Sequence, residues 1–282
     1  MENLIALFNF EFFRNAFIAA LIASITCGII GTYIVSRRIV FISGGITHAS
    51  FGGIGMGYYL GFDPILGAVA FGILSALGIE FFTKRADLRE DSAIAMLWSL
   101  GMALGVIFIF LTPGYAPNLM SYLFGNILTV SKTDLIYLFI LAVFVILFFL
   151  IFYRMIIFVS FDEEFALTNN APVRLFNALL ISLVALTIVL NIRVVGIILV
   201  MSLLTIPQAI ANLFTKRFDV MMIYSILFGF LGSISGLAFS YIYDIPSGAA
   251  IIFTLVVLYG LIKTAFIIFG KANLKHRERV KI

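Results

Sequence analysis

Charge is the scarcest property of this 282-residue chain. Asp, Glu, Lys and Arg together make up 11% of it, against 63% apolar residues and a mean hydropathy of +1.17. Soluble domains carry about a quarter charged residues, so an ordinary water-facing globular surface is excluded. Histidine occurs twice and cysteine once. A lone cysteine excludes an intramolecular disulfide, and Cys27, inside an apolar run, is expected to be a small buried side chain. So few ligands also exclude a tight metal cage within the membrane, because four-coordinate zinc takes about four Cys, His, Asp or Glu side chains. Acids are nearly missing from the apolar runs: Glu80 falls near the end of one, and Asp63 and Asp244 at rims. Proton-coupled carriers build relays from such groups, and there is little here to build one. The chain contains no H-E-x-x-H, no catalytic dyad and no G-x-x-x-x-G-K-[ST] loop. It is therefore expected neither to hydrolyse ATP nor to act as an intramembrane enzyme.

What is present is apolar sequence in long runs. "AFIAALIASITCGIIGTYIV" and "IYLFILAVFVILFFLIF" approach or reach the roughly 20 residues that cross a bilayer. With no alternating strand pattern, the fold expected is an all-α polytopic membrane bundle rather than a barrel. Nine spans are read: 14–35, 46–61, 64–83, 92–111, 134–158, 174–191, 196–214, 220–241 and 248–270. The second is short and glycine-rich. Residues 112–133 are partly apolar and suit an interfacial or re-entrant helix. The opening "MENLIALFNFEFF" lacks a basic n-region and is not expected to be a cleaved signal peptide. No repeat or soluble insertion interrupts residues 1–282, which are read as a single membrane domain.

The basic residues set the orientation. Alternating the nine spans puts Arg37, Arg38, Lys84, Arg85, Arg89, Arg154, Arg174, Lys216, Arg217, Lys263, Lys271, Lys275, Arg277, Arg279 and Lys281 on one side. Only Arg14, Lys132 and Arg193 fall on the other. The positive-inside rule then predicts a cytoplasmic C-terminus and an external N-terminus. This distribution explains the net charge of +4 without nucleic acid.

Three constellations carry chemistry. In the second span, Gly45, Ala49, Gly53, Gly57 and Gly61 recur every four residues, a ladder that lets another helix approach closely. His48 lies beside it, with Gly44 and Gly52 one turn to either side. Such a histidine either faces a translocation path or makes an interhelical hydrogen bond. Gly232 and Gly236 form a second ladder, read as helix packing. In the seventh span, Ser202, Thr205, Gln208 and Asn212 fall on one helical face, and Pro207 frees a carbonyl one turn earlier. That stripe lines a pore or glues helices together. Third, "SFDEEFALTNNAPVRLF" predicts a short cytoplasmic helix. Asp162 caps it, Glu163 and Glu164 suit its positive end, Asn169 or Asn170 closes it, and Pro172 restarts the chain. Phe161 and Phe165 share a face. The element is either a docking helix or a solvated connector.

Several segments resemble the permease subunits of ABC importers for zinc, manganese or ferrous iron, distant relatives of the vitamin B12 and ferric-siderophore importers. They are "RRIVFISGGITHASFGGIG" (37–55), "SYLFGNILTVSKTDL" (121–135), "FDEEFALTNNAPVRL" (161–175), "VVGIILVMSLLTIPQAIANLF" (194–214) and "DIPSGA" (244–249). The resemblance implies a multi-pass protein of the bacterial cytoplasmic membrane that works as a homodimer. It implies two ATP-binding cassette ATPase subunits that alone bind ATP, and an extracytoplasmic metal-binding protein. No permanently bound cofactor is implied, only a transported ion such as Zn2+ or Mn2+. Residues 161–175 match the family's coupling helix. His48 matches the histidine of a motif usually written D-A-L-S-H-A, with Gly44 where the aspartate stands. The departure leaves His48 as the metal contact: either Thr47 or the seventh-span stripe completes the site, or the ion passes with only transient contact. Imidazole suits zinc better than hard oxygen sites do, so zinc is favoured over manganese or iron. A permease for an organic metal chelate is the alternative, and an ATP-independent channel or carrier is a more distant one.

Overall fold

The computed structural model describes residues 9–113, 125–161, 163–168 and 172–279. Every element among them is helical: α1 (Glu11–Ser36), α2 (Val40–Leu60), α3 (Pro64–Arg85), α4 (Glu90–Leu111), α5 (Lys132–Phe161), α6 (Glu163–Thr168), α7 (Val173–Val195), α8 (Ile197–Leu203), α9 (Ile206–Phe214), α10 (Phe218–Tyr243) and α11 (Ser247–Arg279), with one 3-10 turn at Ile127–Thr129. Residues 114–124, the centre of the segment read as interfacial or re-entrant, lie outside the described part. Among the described residues, eight segments are long and apolar enough to cross a membrane, α8 and α9 counting together as one. α2 is a ninth helix of spanning length that falls short on hydropathy.

The reason lies in where α2 sits. Fourteen of its 21 residues are buried against neighbouring helices, so it has little lipid to face and little need of apolar bulk. It also begins at Val40, six residues before the start read from sequence. Gly44 and Gly45 look like breakers in isolation, but a Cβ at Gly45 would lie 2.7 Å from Ile94 on α4. Tertiary packing holds the glycines in a helix that propensity alone would end.

Packing around α2 is closer than the single ladder predicts. On one flank a Cβ at Gly53 would come within 2.0 Å of the Gly67 carbonyl of α3, and one at Gly57 within 2.6 Å of Pro64. On the other flank Gly101 and Gly105 of α4 meet the backbone of Ala49 and Phe51, and Gly55 meets Gly105. Gly61 packs against nothing within 4 Å; with φ +76° it closes α2 in the left-handed conformation. The second ladder does pack: Gly232 and Gly236 of α10 receive Leu255 and Ile251 of α11.

α1 is the central post, built on Ala16, Ala19, Ala20, Ala23 and Cys27, each no more than 1% exposed. α5 is the opposite case. Its most apolar window has a mean hydropathy of 3.3 and is only 28% buried, so most of it faces outward. Arg37 of α1 donates to the Val159 carbonyl of α5 at one end of the bundle. Lys132 pairs with Glu11 at 2.9 Å at the other. Loops therefore gather at two ends, and the end holding Arg37, Arg38, Lys84, Arg89, Arg174, Lys216 and Arg217 is the basic one.

Substituting Gly53 tests the α2–α3 contact. Gly53→Val forces backbone apart and should cost about 1–3 kcal/mol or more, read as a lower melting temperature in detergent. Gly260→Ala, where a Cβ meets nothing within 4 Å, should leave the melting temperature unchanged or raise it.

Candidate transport path and coupling end

His48 projects from the middle of α2 toward α4. Its ring lies flat on the indole of Trp98, with centroids 4.1 Å apart and planes at 5°. The side chain is half-buried, and its Nδ1 is closed to solvent with no hydrogen-bond partner among the described residues. The interhelical hydrogen bond considered from sequence is therefore not made through Nδ1. Thr47, the neighbour read as a possible helper, is fully buried, and its hydroxyl donates back to the Ser43 carbonyl. It is not on the open side with His48.

The stripe on the seventh span is not one continuous face, because the helix breaks. α8 ends at Leu203, Thr205 sits at φ −129° and ψ −49°, and α9 starts at Ile206. Pro207 causes this: it has no N–H for the Leu203 carbonyl. Gln208 answers the deficit. Its Nε2 donates to the Leu203 carbonyl at 3.1 Å and to the Cys27 carbonyl of α1 at 2.8 Å. Thr205 Oγ1 donates to the Met201 carbonyl at 2.8 Å. Both carbonyls at the break are thus engaged within the protein, as hydrocarbon surroundings require. Gln208 is fully buried, and Gly31 makes room for it, since a Cβ there would lie 2.3 Å from its Nε2. Asn212 belongs to the basic end, where its Oδ1 accepts from Lys216 Nζ at 2.8 Å. Ser202 donates to the Ile198 carbonyl and remains partly exposed. Of the four, Thr205 and Gln208 seal the break, Asn212 lies a turn beyond, and Ser202 keeps partial exposure on the last turn of α8.

Two polar arrangements were not read from sequence. Asn191 of α7 donates to Thr26 Oγ1 of α1 at 3.2 Å and to the Thr187 carbonyl at 2.8 Å, all in the core. Asp134 on α5 forms an ion pair with Arg193 on α7. Asp134 also accepts from Ser131 N at 3.1 Å and Ser131 Oγ at 2.6 Å. Ser131 Oγ in turn accepts from the Asp134 N–H at 3.2 Å, which completes a capping box. "SKTD" carries that box in the sequence; the ion pair needs the fold. Nearby, Gly125 (φ +62°) presses on the Val195–Gly196 peptide, where a Cβ would approach to 2.3 Å. That contact ties the 125–131 segment to the α7–α8 corner.

At the basic end, α6 is the short helix expected. Asp162, Asn169 and Asn170, and the side chains of Glu163, Glu164 and Phe165, lie outside the described part of the structure. Ala166 is buried, while Leu167 is 54% exposed. Phe161 is exposed and meets Phe218 of α10 edge-on, with centroids 6.2 Å apart. Pro172 precedes α7 in a non-helical conformation. A groove of about 750 Å³ opens beside α6, lined by Leu77, Glu80, Phe81, Lys84, Leu167, Val173 and Arg174. Among the described residues, no group of three or more His, Cys, Asp or Glu side chains converges to hold a metal ion.

The chain matches the model of the ABC 3 transport family over residues 9–266. It is 36% identical over 255 residues to the manganese transport system membrane protein MntC of Halalkalibacterium halodurans, covering 90% of this chain and 87% of that one. The MntC of Listeria monocytogenes is 33% identical over 278 residues, 98% of each chain. Among solved structures, a chain of PsaBC from Streptococcus pneumoniae in complex with Fab superposes with a TM-score of 0.83 at 31% identity, covering 93% of this chain and 94% of that one.

Removing the seal at the helix break should be costly. Gln208→Leu leaves the Leu203 carbonyl without a donor and is expected to lose about 1–3 kcal/mol. The apparent melting temperature should fall in detergent and in lipid nanodiscs. Asn212→Leu, at the exposed basic end, should melt within error of the wild type.

Proposed function

The chain belongs to the ABC 3 transport family, and from that premise we propose that it is the membrane-spanning permease subunit of an ATP-driven uptake transporter for a divalent metal ion. Two copies form the translocation path between them. Two separate ATPase subunits hydrolyse ATP, and a metal-binding protein outside the membrane delivers the ion. The basic end faces the cytoplasm, and the opposite end, with Asp134 and Arg193, faces out. The observation that carries this reading is the family match over nearly the whole chain, joined to an exposed platform at the basic end. α6, Phe161 and the adjacent groove form that platform, where an ATPase docks and transmits its closure to α5 and α7.

Zinc is the cargo favoured by the chemistry of His48, because an imidazole without a carboxylate partner suits it better than manganese. The names of the MntC relatives supply the competing expectation of manganese. Iron is the third candidate. His48 makes weak contact with an ion in transit, so that release follows binding.

The test is elemental analysis of cells grown in metal-limited medium with and without the permease, co-expressed with its ATPase and binding protein. Cell zinc should fall selectively without the permease. His48→Ala should reproduce that loss at normal protein levels. A fall in manganese alone would reassign the cargo. No change in zinc, manganese or iron would overturn the metal reading in favour of an organic chelate.

A further inference from the structure

The surroundings of His48 point to a second cargo contact. A Cβ built on Gly44, one turn before His48 on α2, would lie 3.1 Å from the Cε of Met201 and 4.0 Å from Cζ3 of Trp98. The volume beside His48 on its own helix is therefore occupied by the tip of a thioether from α8 and the edge of an indole from α4. Trp98 touches both positions, since its ring also lies flat on the imidazole. Met201 is partly exposed. Its backbone is fixed by the Thr205 hydroxyl on its carbonyl, immediately before the helix break. His48 Nδ1 is closed to solvent and has no hydrogen-bond partner among the described residues. No acid joins the group to make a conventional metal cluster among the described residues.

We propose that Met201 is a cargo-contacting residue: its thioether and the His48 imidazole together offer the passing ion a mixed sulfur–nitrogen surface, and Trp98 positions the imidazole against it. Thioether sulfur selects zinc and monovalent copper, and imidazole is shared by zinc, copper, iron and nickel, while manganese prefers oxygen ligands. The pair common to both ligands is zinc and copper. Met201 thus biases the path toward borderline and soft cations and against manganese. Met also adapts its three rotatable bonds to an ion that moves past, which suits transient contact. This inference rests on the reading of the chain as a metal permease and adds a specificity residue to it.

Trp98 is the only tryptophan in the chain, so its emission reports on this place alone. The full-length protein in detergent is titrated with zinc chloride, manganese chloride and silver nitrate, silver serving as a redox-inert soft monovalent probe. Zinc and silver should change the emission saturably, and manganese should need at least about tenfold higher concentration. Met201→Leu, a near-isosteric change that keeps the melting temperature, should raise the half-saturation for zinc and silver by about tenfold and narrow the zinc-over-manganese preference. Met96→Leu, on the exposed side of α4, should behave as wild type. Two results overturn the proposal: Met201→Leu titrating as wild type while His48→Ala abolishes the response, or manganese saturating before zinc. Metal uptake by cells separates this inference from the one beneath it. A titration that fails while permease-dependent uptake persists removes Met201 and leaves the permease. The expected titration without permease-dependent uptake of any metal removes the importer reading and leaves the site.

Discussion

Three helices meet backbone to backbone, and the rest of the structure depends on that contact. Glycines of α2, α3 and α4 bring main chains together at Gly53–Gly67, Ala49–Gly101 and Gly55–Gly105. In hydrocarbon there is no gain in burying Leu against Leu, because lipid is as apolar as the protein. Association comes from close packing, and small residues provide it. The contact also fixes the distance between α2 and α4, which lets the His48 ring lie flat on Trp98. A bulkier α2 would separate the helices and lose the stack. The glycines that depress the hydropathy of α2 are thus the ones that bring His48 and Trp98 together.

The second organising feature is the treatment of polar groups at depth. The break between α8 and α9 frees carbonyls in a place without water, and Gln208 and Thr205 take them up from the same segment. Gln208 also reaches the Cys27 carbonyl, so the break is fastened to α1. Asn191 fastens α7 to the same stretch of α1 through Thr26. These bonds engage the polar groups of Thr205 and Gln208 within the protein. Met201 and Ser202, on the last turn of α8, keep partial exposure beside α2.

Much of the architecture was legible in the sequence. Hydropathy located every span but the second, because length and apolarity are what a bilayer demands. The alternation of basic residues located the two ends. The ladders at 45–57 and 232–236 were visible as spacing, since helical neighbours recur every four residues. Less was legible at the site. Periodicity placed Ser202, Thr205, Gln208 and Asn212 on one face by assuming a continuous helix, and Pro207 with Thr205 breaks it. The partner flank of α2 and the pair Asp134–Arg193 required knowing which helices adjoin. Arg193 counted as an exception to the charge bias, and its partner lies 59 positions away along the chain. Met201 and Trp98 resembled ordinary apolar residues until α2, α4 and α8 were seen to converge.

The chain's one thiol lies in the central post, wholly shut from solvent. To a membrane-impermeant maleimide the native protein is therefore blank. A cysteine placed at Phe41 on the basic end, or at Tyr243 on the opposite end, both exposed, becomes the sole address for such a reagent without first replacing Cys27. Each end of the bundle can then be assigned to a side of the membrane in intact cells, on a background that is already silent.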